Sequence, residues 1–458
     1  MRKKLPEEAI IVLSQLGAML YAFITVFPVF GHLVPEINCI NNSSDPCKCE
    51  EKDLNFNFSS VQPSDFFIDE WNSLATELKL VCEKDSHNAV MISLGTFGEI
   101  TSIFLSGYIS DTFGRRKSLL FYNCIFFASI ALQFVGQGLV FFSAARFFIH
   151  FSGIALMLLA VLYGSEMAEN QNFAYIIWAL YYYSGTAMAS VVAYFLPDWR
   201  AQMAVNLTLS AIYFIFLFLI PESSVFKASR ARAEEKPKFY DTRPNRFYFL
   251  SICILSFSMF ACNFIYFGLL WNGGSLSPNP YLNVFYLGLL GTIGALLQKP
   301  LLNIFSSIKI VAFSFYACSG VIFLALIIGD DWWTSILCFF GFFWICLTYI
   351  NAYDAAATFP VNNRSISCSI CSLLARSAIL TPPFMKYLSP KMQLGTLVII
   401  SAASASIYLI LPRIPPEMPF FTMAEANKVY EETYFSGARY EKGKEKKEDL
   451  QQIFLETA

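Results

Sequence analysis

Long runs of apolar residues, separated by short polar segments, dominate this sequence. A helix of about 20 residues is about 30 Å long, which matches the hydrocarbon thickness of a membrane. The runs are continuous, whereas a membrane-spanning β-strand alternates apolar and polar residues over about ten positions. The pattern therefore predicts an all-α polytopic membrane protein with twelve transmembrane helices. The twelve runs are residues 9–34, 88–110, 118–138, 143–165, 173–195, 201–220, 247–271, 281–298, 309–328, 332–356, 366–387 and 393–412.

Polar residues between the runs divide the chain into two halves. Six runs precede a basic segment and six follow it. We therefore expect two six-helix halves, with a long loop after the first helix. The predicted boundaries are 1–221 for the N-terminal half, which includes an extracellular loop at 36–88, 222–246 for a cytoplasmic linker, 247–412 for the C-terminal half and 413–458 for a cytoplasmic tail.

Composition supports a membrane protein, and the distribution of charge sets its orientation. The chain is 56% apolar and 14% charged, against about 25% charged residues in soluble proteins. Lysine and arginine cluster at residues 2–4, 115–117 and 227–246, and such clusters favour the cytoplasmic side. We therefore expect both termini in the cytoplasm. We take the plasma membrane as the location, with an internal membrane as the alternative. The basic residues form no array that would indicate nucleic-acid binding.

The loop at 36–88 then faces the outside, and its composition fits an oxidising compartment. An even number of cysteines in such a loop indicates two disulfide bonds, for which three pairings are possible. Asn-x-Ser/Thr sequences in the same loop indicate glycosylation. The cysteines are Cys39, Cys47, Cys49 and Cys82. The glycosylation candidates are Asn41, Asn42 and Asn57, and the adjacent pair would carry at most one glycan.

The segment GYISDTFGRRKSLL, residues 107–120, joins the second and third runs and carries a specific spacing of glycine, aspartate and arginine. Gly107 would allow close approach of two helices, and Gly114 suits a tight turn. Asp111 can accept hydrogen bonds from Arg115 or Arg116, or from a helix N-terminus. A basic loop that only sets topology would explain the arginines but not this register.

This spacing resembles the signature of the major facilitator superfamily between its second and third helices. Four further segments narrow the resemblance to the organic ion transporter branch, over nearly the whole chain. These are the cysteine-bearing loop that ends in WNSLATELKLVC (71–82), AYFLPDWR (193–200), PESSVF (221–226) and NPYLN (279–283). ATFPVNNRS (357–365) is similar to a further motif of that branch. The resemblance implies a secondary transporter that works by alternating access and a signature loop that acts as a cytoplasmic latch.

The chain departs from the branch at three latch positions. Ala357 stands where the branch has glutamate, and Asp354 is the nearest acidic residue. The second-half copy of the signature, at 297–309, lacks its charged core, and GSEMAEN (164–170) is followed by glutamine rather than arginine. The expected gating residues are Gly107, Asp111, Gly114, Arg115, Arg116, Glu166, Asp354 and Arg364.

A single arginine, Arg376, interrupts the apolar segment 365–385. Near the middle of a membrane an unpaired guanidinium costs roughly 2.5–3.5 kcal/mol on insertion scales, so this charge needs a partner. Its five donors suit a carboxylate or sulfate on a substrate. The resemblance implies the same, because anion and carnitine members of the branch carry arginine here. Alternatively, Arg376 could form an ion pair across the halves, with Glu99 as a possible partner, or its side chain could reach the membrane surface.

Other candidates for the site are aromatic or charged residues inside the runs. The resemblance places substrate-facing aromatics in NFIYFGLLW (263–271), which indicates Tyr266 and Phe267, since flat rings suit aromatic organic ions. Less specific candidates on the tenth run are Tyr349, Asn351 and Tyr353. Arg146 and His150 lie one helical turn apart in the fourth run and form a possible charge site within the membrane. His150 there could relay a proton or simply pack.

The sequence favours a transporter over the other classes of membrane protein. The three histidines are scattered, and the chain has no HExxH sequence, Walker loop or paired carboxylates at helical spacing, so we expect no enzyme activity, metal or cofactor. We predict a transporter of organic anions or carboxylate-bearing zwitterions, with a small organic ion and membrane lipid as partners, and a monomer. The alternatives are an organic cation transporter in which Arg376 is structural, and a relative without transport that acts as a receptor or scaffold.

Overall fold

The computed structural model describes residues 6–32, 72–78, 80, 84–168, 171–223, 226–227, 246–271, 279–305, 307–329, 331–356, 364–385 and 388–409. The predicted tail and most of the predicted linker lie outside these residues. The same is true of the loop residues Cys39, Cys47, Cys49, Cys82, Asn41, Asn42 and Asn57.

The described chain is almost entirely helical, as its continuous apolar runs predict. The helices are α1 (Glu7–Ser14), α2 (Leu16–Gly31), α3 (Leu74–Glu77), α4 (Asp85–Phe113), α5 (Arg115–Gln133), α6 (Leu139–Met167), α7 (Gln171–Phe195), α8 (Trp199–Leu219), α9 (Arg246–Trp271), α10 (Pro280–Ile304), α11 (Ser307–Ile328), α12 (Asp331–Ala356), α13 (Arg364–Ser377), α14 (Pro382–Met385) and α15 (Pro390–Tyr408).

Nine segments of the described chain are long and apolar enough to cross a membrane, the first formed by α1 and α2 together. Three further elements pack in the same bundle, namely α5, α15 and the interrupted segment formed by α13 and α14. The structure therefore contains the predicted twelve membrane-crossing elements, in two halves of six.

The ends of the helices define two faces of the bundle. α4 ends at Phe113 and α5 begins at Arg115 on one face, which we call the signature face. α2 ends on the opposite face, the far face, where His32 Nδ1 lies 2.6 Å from Asn88 Oδ1 near the start of α4. The Asn88 side chain also donates a hydrogen bond of 2.9 Å to the His32 carbonyl. These bonds hold α2 and α4 side by side at the far face.

The run predicted at 366–387 is not one continuous helix. α13 ends at Ser377, a 3-10 turn covers Ala378–Leu380, and α14 begins at Pro382. Two consecutive prolines here lack the N–H groups that an α-helix interior requires, so the regular ladder of hydrogen bonds stops. Arg376 therefore lies one residue before the end of α13, next to irregular backbone in the middle of the bundle.

Two glycines let α4 and α6 approach each other closely. A Cβ atom on Gly98 would lie 2.3 Å from the Phe147 carbonyl oxygen, and one on Gly95 would lie 2.7 Å from the His150 ring. Side chains at these positions would therefore separate the two helices. The close approach places Glu99 of α4 beside His150 of α6.

Residues 72–80 dock on the far face of the N-terminal half, where α7 passes into α8. Asn72 and Asp198 form an isolated β-bridge, and the Trp199 N–H donates a hydrogen bond of 3.0 Å to the Asn72 carbonyl. Leu74 at the start of α3 is fully buried in the core of this half. The sequence segments 71–82 and 193–200, which lie more than 100 positions apart, therefore contact each other.

Glu77 provides the charged part of this docking. Its carboxylate accepts a hydrogen bond of 2.9 Å from Trp199 Nε1 and forms an ion pair with Arg200. Partial burial opposes ionisation of Glu77, but the hydrogen bonds from Arg200 and Trp199 outweigh it and lower the pKa of the carboxyl.

We expect Glu77→Gln to loosen the docking of residues 72–80, because the amide keeps the shape of the side chain and loses its charge. The Arg200 and Glu77 side chains are 38% and 30% exposed, so the free energy of unfolding should fall by no more than about 1 kcal/mol. Thermal unfolding of the purified protein measures this, with Glu8→Gln at an exposed helix start as the control.

The same variant should also alter the dependence of stability on pH. A carboxyl whose pKa is depressed in the folded state stabilises the protein above its unfolded pKa of about 4.3, and that contribution is lost as the pH falls through the depressed value. Glu77→Gln lacks this contribution at every pH. Identical stability and identical acid sensitivity in the variant and the wild type would contradict the role given to Glu77.

Candidate substrate site

Four ionisable side chains meet in the interior of the bundle, contributed by both halves. They are Glu99 from α4, Arg146 and His150 from α6, and Arg376 from α13, and we call them the central cluster. Each is at most 2% exposed. Charged groups this deeply buried require compensation by opposite charge or hydrogen bonds.

The Glu99 carboxylate contacts two of the other members of the cluster at once. Its Oε1 atom lies 2.8 Å from His150 Nδ1, and its Oε2 atom accepts a hydrogen bond of 3.3 Å from Arg376 Nη1. Arg376 also donates to the hydroxyl of Tyr21 at 2.9 Å and to the hydroxyl of Tyr349 at 3.3 Å. Because Tyr21 and Glu99 belong to the first half and Arg376 to the second, these bonds join the halves. Arg376 is buried at this position, so its side chain does not reach the membrane surface.

Arg146 leaves the central cluster with an excess of positive charge. Its guanidinium lies over the Phe27 ring at 4.6 Å, a cation–π contact. None of its three side-chain nitrogens has a hydrogen-bond partner among the described residues. Two arginines thus face one carboxylate, so the cluster carries one net positive charge even when His150 is neutral.

Aromatic rings surround the end of the Arg376 side chain. The Tyr182 ring stacks with those of Tyr21 and Trp178, at centroid distances of 6.1 and 6.2 Å. Across the interface between the halves, the Tyr349 ring lies 6.3 Å from Trp178. Within the second half it lies 6.0 Å from Tyr266. We call these five rings the aromatic box. The faces of such rings bind apolar groups and quaternary ammonium groups.

The far face closes over this region. Trp271 Nε1 at the end of α9 donates a hydrogen bond of 2.8 Å to the Thr25 carbonyl of α2. Tyr281 at the start of α10 stacks on Phe30 at 5.0 Å, and its carbonyl accepts a hydrogen bond from the Ser190 hydroxyl. Each contact joins one half to the other. A solute can reach the box from this face only when these contacts separate.

At the signature face, Arg115 is the centre of a network of ion pairs. Its Nε and Nη2 atoms both bond to Glu166, at 3.0 and 2.9 Å for the Oε1 atom. Its Nη1 atom donates to Asp111 at 2.8 Å and to the Ser110 carbonyl at 3.0 Å. Its guanidinium lies 5.3 Å from the centre of the Phe226 ring. Arg115 therefore ties α4, α5 and α6 to the segment that follows α8.

Arg116 and the glycines complete this network. The Arg116 side chain donates to the carbonyls at the end of α8, at 2.8 Å for Leu217, and its backbone N–H donates to Glu222. Gly114 has φ of 102°, the left-handed region that favours glycine, as its place in the turn predicts. No described atom lies within 4 Å of the Cβ position of Gly107. The close helix approach predicted there is thus not seen in the described part of the structure.

The remaining residues predicted for the site are not in direct contact with the central cluster or lie outside what the structure describes. Phe267 is buried on α9, with its ring 4.9 Å from Trp271 and 5.1 Å from Tyr266, so it backs the box. Asn351, Tyr353 and Asp354 belong to α12 and Arg364 begins α13, but their side chains lie outside what the structure describes. Their predicted roles therefore stay predictions.

Sequence reasoning missed three rings of the aromatic box, Tyr21, Trp178 and Tyr182. The chain has 47 phenylalanines and 23 tyrosines, so composition and periodicity do not distinguish a ring in the box from one in the lipid-facing surface. Glu99 carried a signal, as an acid in an apolar run, and it is the residue that pairs with Arg376.

Comparison with known proteins agrees with the architecture described above. Residues 53–246 match the family model described as sugar (and other) transporter. The organic cation transporter protein of Drosophila melanogaster is 23% identical over 427 residues, which are 81% of this chain and 75% of that protein. Organic cation/carnitine transporter 2 of Homo sapiens is 29% identical over 168 residues, or 36% of this chain and 30% of that protein.

Solved structures agree in fold at low sequence identity. An inward-open xylose transporter from E. coli superposes with a TM-score of 0.63 and 14% identity, covering 93% of this chain and all (100%) of that chain. A proton:xylose symporter of the major facilitator superfamily, bound to 6-bromo-6-deoxy-D-glucose, gives a TM-score of 0.66 at 12% identity, with 93% and 99% coverage. The chain therefore has the fold of these transporters, and in sequence it is similar to organic cation and carnitine transporters.

Proposed function

We propose that this secondary transporter moves organic anions or carboxylate-bearing zwitterions across the membrane by alternating access. The observation that carries the proposal is the excess positive charge of the central cluster, in which Glu99 is the one carboxylate and Arg376 and Arg146 are both positive. A buried positive charge without a counter-charge is unfavourable, so an acidic group on a substrate would stabilise it. The Arg376 guanidinium can bind such a group through two parallel hydrogen bonds.

The aromatic box supports a zwitterion in particular. Its rings lie next to Arg376, since both Tyr21 and Tyr349 belong to the box and accept hydrogen bonds from that guanidinium. A substrate with a carboxylate and a quaternary ammonium could place the acid on Arg376 and the ammonium against the rings. Carnitine has this chemistry, and one similar protein carries carnitine in its name.

The ion pair between Arg376 and Glu99 favours a second candidate, an organic cation transporter. If that pair, at 3.3 Å, persists throughout transport, Arg376 is structural and Glu99 with the aromatic rings would attract a cation. The two candidates differ in whether the Arg376–Glu99 bond breaks when substrate binds.

Alternating access requires the two halves to separate at one face while they close at the other. We propose that the contacts of Trp271 and Tyr281 form the gate at the far face, and that the network around Arg115 keeps the first half rigid while the halves rock. Asp354 and Arg364 remain the proposed partners of that network in the second half. We place the signature face in the cytoplasm of a plasma-membrane protein, with both termini there, and the transporter as a monomer in lipid.

The test is uptake of three radiolabelled probes by cells that express the chain, namely benzenesulfonate, L-carnitine and tetraethylammonium. Arg376→Ala should lower the uptake of the first two by roughly thirtyfold or more, because loss of one partner of a buried charged pair costs about 2–5 kcal/mol. Arg376→Lys should fall between Ala and wild type, because it keeps the charge without the planar fork. Surface expression of each variant is matched by biotinylation.

Each result assigns the substrate class. Saturable uptake of benzenesulfonate or carnitine that Arg376→Ala abolishes supports the proposal. Uptake of tetraethylammonium alone, retained by Arg376→Ala, would overturn it in favour of the cation transporter.

The signature network gives a second prediction, because the two carboxylates that bond to Arg115 differ in exposure. The Arg115–Glu166 pair is 12% and 10% exposed, while Asp111 is 60% exposed. Glu166→Gln should lower the free energy of unfolding by about 1.5–3 kcal/mol and reduce the maximal uptake rate without changing KM. Asp111→Asn should cost about 1 kcal/mol or less. Thermal unfolding and uptake kinetics on both variants measure this, and equal effects would contradict the ranking.

A further inference from the structure

Glu99 has a second partner, His150. The proposed binding of a substrate's acidic group to Arg376 does not explain why this histidine is there. The His150 ring occupies the place where Gly95 allows α4 to approach α6, and its Nδ1 atom lies 2.8 Å from Glu99 Oε1. Its Nε2 atom is buried and has no hydrogen-bond partner among the described residues. When a histidine and an arginine share one carboxylate, the proton affinity of the histidine can change if the arginine bonds to another group.

Building on the proposed function, we infer that the Glu99–His150 pair is a proton-binding site, and that one proton enters it when the substrate's acidic group takes Arg376 from Glu99. The transporter would thus couple its substrate to protons.

The geometry of Glu99 creates this coupling. One of its oxygens bonds to Arg376 and the other to His150, so a single carboxylate serves both. When a substrate anion binds the Arg376 guanidinium, Glu99 loses the one permanent charge that bonds to it directly among the described residues. A buried carboxylate in that position is strongly disfavoured unless it gains a proton or a cationic partner.

The proton has a defined place to bind. In the neutral state the ring donates its Nδ1–H to Glu99, which leaves the Nε2 lone pair free to take a proton. The added proton gives an imidazolium ion paired with the Glu99 carboxylate; no other bond forms or breaks. Because the two groups are in direct contact, the proton belongs to the pair as a unit.

Two positive side chains lie in the same cluster as this site. Arg146 on α6 and Arg376 on α13 both oppose a further positive charge nearby. The tyrosines facing the pair are Tyr21 on α2, Tyr182 on α7 and Tyr349 on α12. Residues 378–385, which also pack on α4, contain no titratable side chain, and the basic residues of α5 lie at the signature face.

Charge balance gives the expected stoichiometry. The cluster carries one net positive charge when empty, none with a bound anion, and one again after it takes up a proton. Anion and proton therefore enter together without changing the buried charge. By linkage, each must raise the affinity for the other by the same factor.

The first experiment measures transport in proteoliposomes with acid outside and the membrane potential clamped at zero by potassium and valinomycin. The probes are benzenesulfonate and L-carnitine, since neither has an uncharged form at the pH used that would cross the lipid unaided. A gradient of about one pH unit should accumulate the transported probe about tenfold, since one unit is a tenfold ratio of proton concentrations. Any probe that Glu99→Gln still exchanges should no longer accumulate, and His87→Gln, which alters an exposed histidine, should behave as wild type.

Transport without accumulation in the wild type, or accumulation that persists in Glu99→Gln, would overturn the inference while leaving the proposed function intact. A purely packing role for His150, in which it only fills space against α4, gives that result.

The second experiment needs no substrate and so separates the inference from the proposed function. ¹⁵N-histidine-labelled protein in lipid nanodiscs is titrated from about pH 8 to about pH 5, the range in which histidine changes charge, and the His150 signal is identified by its loss in His150→Gln. Arg376→Gln imitates the state in which Arg376 is occupied, so the midpoint of His150 protonation should rise by about one pH unit, a tenfold gain in proton affinity. Arg200→Gln, distant from the cluster, should leave it unchanged.

Glu99→Gln gives an independent test in a protein that keeps both arginines. The midpoint of His150 protonation should fall, because an amide lacks the negative charge that stabilises an imidazolium. A midpoint that neither Arg376→Gln nor Glu99→Gln moves would overturn the inference, whether or not any probe is transported.

Discussion

The hydrogen-bonded ion pair between Arg376 and Glu99 is the interaction on which the arrangement of this transporter depends. Each residue would be highly unfavourable alone in the middle of a membrane, and each comes from a different half. The pair therefore does two things that oppose each other. It stabilises the closed arrangement of the halves, and it occupies the guanidinium that a substrate's acidic group would need. Binding of such a substrate would weaken the contact between the halves, and this links recognition to movement.

The sequence predicts the helices well, because continuous apolar runs and length are enough to define them. It also predicts that segments 71–82, 107–120, 193–200 and 221–226 matter, but not which of them contact each other. In the structure Phe226 lies against Arg115 and Trp199 bonds to Asn72. Such contacts join residues about 100 or more positions apart, and local pattern carries no information about them. The break after Ser377 is likewise a local effect of two prolines that the apolar pattern hides.

The candidate site was partly predictable for a different reason. Charged residues stand out in apolar runs, so Arg376, Arg146, His150 and Glu99 could all be found. Aromatic residues do not stand out in this chain, and the rings of the box were found only where a resemblance identified Tyr266 or where Tyr349 lay in a suitable run. Which charge pairs with which depends on helix packing at Gly95 and Gly98, and that follows only from the three-dimensional structure.

The docking of residues 72–80 has a mechanical consequence. The segment bonds to Asp198, Trp199 and Arg200 of the N-terminal half, and its apolar side chains belong to the core of that half. The segment is therefore attached to the N-terminal half and does not link the two halves. Rocking of the halves would carry residues 72–78 along without stretching them, so this docking adds no resistance to such a movement.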